Sequence, residues 1–156
     1  MKTTISGIAA GALLAVFAAP TATAGPSPSA PASADAVRDI DWRTSPLDLN
    51  LRGLNGERFQ YHCPPGKAPP GLVVGTRLYA DNSAICAAAT HSGVLRPSVG
   101  GLVTIEICPG SSGYRGSDSH FVTSGAYDGP WGGSFIVWHV ATDACPGSTA
   151  PSGRIS

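Results

Sequence analysis

Residues 83–92 read Ser-Ala-Ile-Cys-Ala-Ala-Ala-Thr-His-Ser, small or apolar almost all round. Asp81, Asn82 and Ser83 are all residue types that cap helix N-termini. Gly93 suits the left-handed position that ends a helix. The stretch therefore predicts a helix from Ser83 to Ser92. A helix this short is marginal by itself in water, and one with no polar face belongs inside protein rather than on a surface. Its alanines let neighbouring strands come close. The expected architecture is α+β, with a short central helix wrapped by sheet.

The strands that would do the wrapping are legible on either side. Phe59, Tyr61 and Cys63 alternate with Gln60 and His62, which predicts a strand buried on one face. Pro64-Pro65-Gly66 and Pro69-Pro70-Gly71 end it in a stiff loop. Leu72-Val73-Val74 predicts a short strand and Leu78-Tyr79 another. The clearest strand runs from Leu102 to Cys108, with Val103, Ile105 and Ile107 on one face and Thr104 and Glu106 on the other. Between Pro109 and Gly133 the chain is Gly/Ser-rich and predicts only short pieces. A last strand, Ser134 to Val140, puts Phe135 and Val137 on one face and Ile136 and Trp138 on the other, so both its faces are expected to be covered.

Met1-Lys2, the apolar run from Ile8 to Ala19 and the small residues Ala22 and Ala24 have the form of a secretory signal, with cleavage expected between Ala24 and Gly25. The apolar run is shorter than the roughly 20 residues of a membrane span. The expected organisation is a signal peptide over 1–24, a Pro/Ser/Ala-rich linker over 25–41, one folded domain over 42–145 and a flexible tail over 146–156. Loss of Lys2 would leave nine basic against ten acidic side chains. Nothing in that balance favours nucleic acid or a polybasic membrane patch. The four cysteines, Cys63, Cys86, Cys108 and Cys145, form an even set in an exported chain and predict two disulfides, with three pairings open. No Cys-x-x-Cys spacing suggests zinc.

Several motifs occur together. Cys63-Pro64 is followed by Gly75-Thr76 and Tyr79. Ser83, Cys86, Ala88 and Ala89 lie in the predicted helix, which His91 and Gly93 close. Pro109-Gly110, Ser112, Tyr114 and Gly116-Ser117 form a turn motif. Over roughly Leu51 to Val140 this pattern resembles the LCCL domain, a disulfide-bonded module of secreted proteins. The resemblance implies a central helix flanked by two antiparallel β-sheets and a bridge between Cys63 and Cys86. Cys108 and Cys145 are additions to the pattern, expected to bridge to each other and tie down the C-terminal strand. Where members show Asn-Gly before Val-Thr-Ser, this chain has His120-Phe121 before Val122. Neither residue tolerates positive φ as glycine does, so a different local turn is expected.

Enzymatic signatures are missing from the sequence. There is no Gly-x-Ser-x-Gly elbow, no His-Glu-x-x-His and no Walker loop. A small secreted ribonuclease would need a base, an acid and a cation, for which Glu106, His120 or His139, and Arg115 are the residues on offer. The absence of a basic surface speaks against it. The expectation is a non-catalytic protein with no catalytic residue, metal or cofactor. His91 reads as a core histidine bonded to nearby carbonyls.

Recognition is expected from the segment between Ser111 and Gly133. Its candidate ligand-binding residues are Tyr114, Arg115, His120, Phe121 and Trp131, with Arg115 and Phe121 exposed and Tyr114 and Trp131 packed on the core. Because one member of the family senses lipopolysaccharide, the resemblance implies a cell-envelope glycan or lipid as partner. The alternative is a structural or assembly module of the cell envelope with no small ligand. The mature chain is expected to be secreted, monomeric and without a transmembrane segment.

Overall fold

The computed structural model of the chain describes residues 37–67, 71–139 and 144–146. The expected signal peptide with its Ala24–Gly25 cleavage site, Val140, and the tail beyond residue 146 lie outside the described residues.

Among the described residues, eight strands and one helix follow in the order β1 (Arg38–Asp39), β2 (Arg58–Cys63), β3 (Gly75–Thr76), β4 (Leu78–Ala80), α1 (Ile85–His91), β5 (Gly101–Tyr114), β6 (Asp118–Ser119), β7 (Val122–Thr123) and β8 (Tyr127–Val137). Six strands form one sheet in the order β1-β2-β5-β8-β4-β3, and β6 and β7 pair as a separate hairpin. Every pairing is antiparallel except the short β1–β2 contact. The fold is α+β, with one short helix, two sheets and two disulfides, Cys63–Cys86 and Cys108–Cys145.

The helix is where its composition places it. Every residue of α1 is buried. Val103, Ile105 and Ile107 of β5, Tyr61 and Cys63 of β2, and Phe135 and Val137 of β8 pack with it in one core, to which Val122 of β7 also belongs. Burial of a side chain such as Ile85, fully covered here, stabilises by roughly 1.5–3 kcal/mol. That is the kind of support a seven-residue helix needs from its surroundings. Gly93, at φ 84°, sits just past its end. The chain reverses there, with the Val94 and Leu95 N–H groups both donating to the Ala89 carbonyl at 3.0 and 3.1 Å.

The helix start differs from expectation. Ala84 is the N-cap and offers no side-chain bond. The orphan N–H groups are satisfied from a distance: Ala84 donates to the Leu72 carbonyl at 2.8 Å and Ile85 to the Thr44 carbonyl at 2.9 Å. Asp81 and Ser83 are thereby available for other work. Ser83 Oγ accepts from the Val74 N–H at 2.9 Å.

Three more expectations change. Leu72-Val73-Val74 is not a strand: Leu72 is exposed, and Val74 makes a single bridge to Gly125. The segment from Pro109 to Gly133 is not a run of short pieces. β5 continues to Tyr114 and β8 starts at Tyr127, giving a long two-stranded ribbon with a bulge between Ser111 and Gly113. Residues 109–112 are mostly exposed, so no apolar alternation marks the strand in sequence. The sheet also begins before Trp42, because Arg38 and Asp39, inside the stretch read as linker, pair with Tyr61 and His62.

The outer face of the sheet is closed by a second, smaller cluster of Cys108, Ile136 and Cys145, with Leu78 and Trp138 partly buried against it. Beside it, Glu106 Oε2 accepts from Arg58 Nε and from Trp138 Nε1, each at 2.9 Å, while the guanidinium lies 3.6 Å over the indole.

Candidate functional site

A broad open cleft of about 770 Å³ lies between the β3–β4 hairpin, the end of α1 and the chain entering β6. Its floor is a hydrogen-bond chain built from four elements. His91, at the last position of the helix, faces the Tyr79 hydroxyl through Nδ1 at 2.9 Å. Its Nε2 faces the Ser117 carbonyl at 3.1 Å and the Ser117 hydroxyl at 3.2 Å. Ser117 Oγ lies 2.8 Å from Thr76 Oγ1, whose hydroxyl donates to the Arg115 carbonyl at 2.9 Å.

With a neutral His91 ring, the donor roles in this chain follow from its acceptors. A carbonyl only accepts, so Nε2 carries the proton, and Nδ1 accepts from Tyr79. Burial pushes the Tyr79 hydroxyl up to about 12, so it keeps its proton at neutral pH. Thr76 donates to Arg115, so Ser117 donates to Thr76. Every polar hydrogen has a protein acceptor, and His91 Nε2 is a donor toward Ser117. It therefore does not act as a base that would activate the serine. His91 is also the core histidine bonded to a backbone carbonyl that its sequence context suggests.

At the edge of the cleft, β6 and β7 turn at His120 and Phe121, with Ser119 opposite Val122. Both turn residues are left-handed, at φ 47° and 64°. This corrects the expectation of a different turn: the two positive-φ positions that Asn-Gly would favour are kept, and bulkier residues are forced into them. His120 is held by a bond from Nδ1–H to the His91 carbonyl at 3.1 Å and lies against Gly93, where an added Cβ would meet its ring at 2.7 Å. Phe121 has no such support. It is fully exposed, at 103%.

The other candidates divide. Arg115 is exposed, next to the cleft, and only its carbonyl is engaged there. Tyr114 is buried; its hydroxyl donates to the Gly133 carbonyl at 3.2 Å and lies 2.6 Å from Ser134 Oγ. Trp131 is away from the cleft lining, with its indole N–H donating to Asp81 Oδ1 at 2.7 Å. Glu106 and His120 do not come together: Glu106 bonds Arg58 and Trp138 on the face of β5 opposite Ile105 and Ile107, whereas His120 bonds the His91 carbonyl at the helix end; His139 lines the cleft. Among the described residues no group of three or more His, Cys, Asp or Glu is placed to hold a metal ion.

Sequence reasoning missed Thr76, Tyr79 and Ser117 as cleft residues and Arg52 and Asp81 as partners of Trp131. Only the spacing of Gly75-Thr76 and Tyr79, and of Gly116-Ser117, singled out the first three, and it marked them as part of a pattern rather than as neighbours.

The sequence profile of the LCCL domain matches residues 40–135, more than half of the chain. Mouse vitrin is 45% identical over 91 residues, covering 58% of this chain and 14% of vitrin. Clotting factor C of Tachypleus tridentatus is 36% identical over 101 residues, covering 64% and 9%. Mouse cochlin is 35% identical over 95 residues, covering 59% and 17%. The chain thus spans less than a fifth of the length of each of these relatives.

Proposed function

We propose that this chain, which belongs to the LCCL domain family, is an exported, non-catalytic binding module that recognises cell-envelope polysaccharide or glycolipid. The family supplies the coarse part: its members here are extracellular modules. Among the described residues no helix is long and apolar enough to cross a membrane. The two disulfides fit an oxidising compartment, which the chain would reach through the signal peptide expected over 1–24, removed by cleavage after Ala24.

The observation that carries the finer part is Phe121. A large apolar ring stands fully in water on a turn whose backbone is strained at both central residues. His120 is tied to the His91 carbonyl, but no contact among the described residues offsets the exposure of Phe121, and strain of this kind concentrates at ligand clamps. Phe121 follows, two residues on, the Asp118-Ser119 stretch that lines the cleft, and the Arg115 carbonyl is bonded to Thr76 of its lining; Ser92, Asp118 and Ser119 bring hydroxyls and a carboxylate to that lining. An apolar group beside polar hydrogen-bonding groups matches an amphiphilic glycolipid or the two faces of a sugar ring.

The test is co-sedimentation of the oxidised protein with envelope fractions. Burying Phe121 is worth roughly 1.5–3 kcal/mol, so Phe121→Ala is expected to weaken retention at least about tenfold. Arg115→Ala is expected to weaken it further. Retention indifferent to both changes would favour a structural module of the envelope instead.

A further inference from the structure

Trp131 and Tyr127 belong to neither cluster of buried residues. Their rings meet edge to face, with centroids 5.8 Å apart and planes at 79°. Polar ties, not packing, hold Trp131. Asp81, 1% exposed, receives its indole N–H on Oδ1 at 2.7 Å. The same carboxylate takes Arg52 Nε at 2.6 Å and Nη2 at 2.8 Å, and the guanidinium carbon lies 5.5 Å from the indole centroid. The backbone is built for this. A Cβ at Gly133 would overlap the Asp81 carboxylate, and one at Gly132 would stand 3.4 Å from Arg52 Nη1.

Once these bonds are made, three residues still reach solvent: Trp131, which is half-buried, Tyr127, 42% exposed, and Arg52, whose side chain is 40% exposed. Arg52 Nη1 makes no hydrogen bond within the described residues. Its charge is already matched by Asp81, so the patch is not built to hold a separate anion. The phenol and guanidinium at its border disfavour an acyl chain. Two rings set nearly at right angles beside a neutralised N–H donor complement a pyranose, whose C–H face stacks on an aromatic ring while its hydroxyl edge hydrogen-bonds.

We propose that Trp131, Tyr127 and Arg52 form a saccharide-stacking site for a neutral hexopyranose, separate from the cleft, whose lining includes none of them. It stands independently of the role proposed for the β6–β7 turn. Trp131 and Tyr127 are the contact residues, and Asp81 positions them.

The experiment is an amide and indole NMR titration of the oxidised protein with chitohexaose, cellohexaose and mannohexaose, each to millimolar concentration. At least one is expected to shift the Trp131 indole N–H resonance saturably. Tyr127→Ala removes a ring that takes part in none of the Asp81 bonds. It is expected to lower the melting temperature by a few degrees at most, keeping the protein folded at the temperature of the titration, and to weaken binding about tenfold, the worth of one aromatic contact. Three results overturn the site: no saturable shift with any of the three sugars, binding undiminished in Tyr127→Ala, or binding abolished by Phe121→Ala with the Trp131 resonance unmoved. The last would leave the proposed recognition at the turn intact while removing this second site.

Discussion

Tyr79 and His91 join the sheet to the end of the helix through a single hydrogen bond, with their rings at 87° and centroids 5.7 Å apart. Both are almost wholly buried. Tyr79→Phe keeps the ring packing and removes only the donor to Nδ1, leaving a buried acceptor unpaired. A stability loss of about 1–3 kcal/mol is expected, read by urea denaturation. An unchanged midpoint would show that another group or solvent serves Nδ1.

Asp81 provides the pH dependence. Burial pushes its carboxyl up, but bonds from Arg52 and Trp131 and the charge of Arg52 outweigh that and hold it below its ordinary 3.8. A carboxyl lowered in the folded state stabilises at neutral pH, and this contribution fades as pH falls through the folded value, below 3.8. Asp81→Asn can still accept from Trp131 but turns an amide toward Arg52, donor against donor. A loss of about 1.5–3 kcal/mol is expected at pH 7. The difference in melting temperature from the unaltered protein should stay level from neutrality to mild acid and then close below that value. A difference that persisted undiminished into strong acid would contradict the assignment.

The turn at His120 and Phe121 predicts a gain. A left-handed residue other than glycine costs roughly 1–2 kcal/mol, and glycine returns part of this through the entropy of the unfolded chain. Replacing the pair by Asn-Gly is expected to stabilise by about 1 kcal/mol, and melting curves can resolve it. Envelope retention should fall in the same variant. A more stable protein with full retention would separate the strain from recognition.

The two bridges differ in consequence. They span 23 and 37 residues, worth about 3.4 and 3.8 kcal/mol by chain entropy. Cys63 and Cys86 are fully buried in the main core, whereas Cys108 and Cys145 lie in the smaller outer cluster. Replacing Cys63 and Cys86 by serine therefore also places hydroxyls in the core. That double variant should melt lower than the Cys108/Cys145 one despite its shorter loop, and the opposite order would show that loop length governs.

How far the fold was readable follows from where each constraint sits. The helix was visible because its composition is local: nothing about Ala87, Ala88 and Ala89 suits water. Its start was misplaced because the groups that end it, the Thr44 and Leu72 carbonyls, lie far along the chain. Asp81 looked like a cap because type alone is visible in sequence, and its partners are 29 and 50 residues away. The β5–β8 ribbon was hidden because exposed Gly, Ser and Pro residues carry no alternation to read. Of the candidate site, Phe121 and Arg115 were correctly placed at the surface. The cleft floor was not anticipated, since it exists only once β3, β4, α1 and the approach to β6 converge.

Both margins of the six-stranded sheet, β1 and β3, are only two residues long. Where β2 and β4 flank them, β5 and β8 lie inside the sheet, whereas their ribbon over 109–114 and 127–133 pairs only with itself. A second molecule therefore finds little sheet margin beside the core on which to template, and the bulge, Pro109 and Pro130 blunt the ribbon's own flanks against amyloid-like zipping.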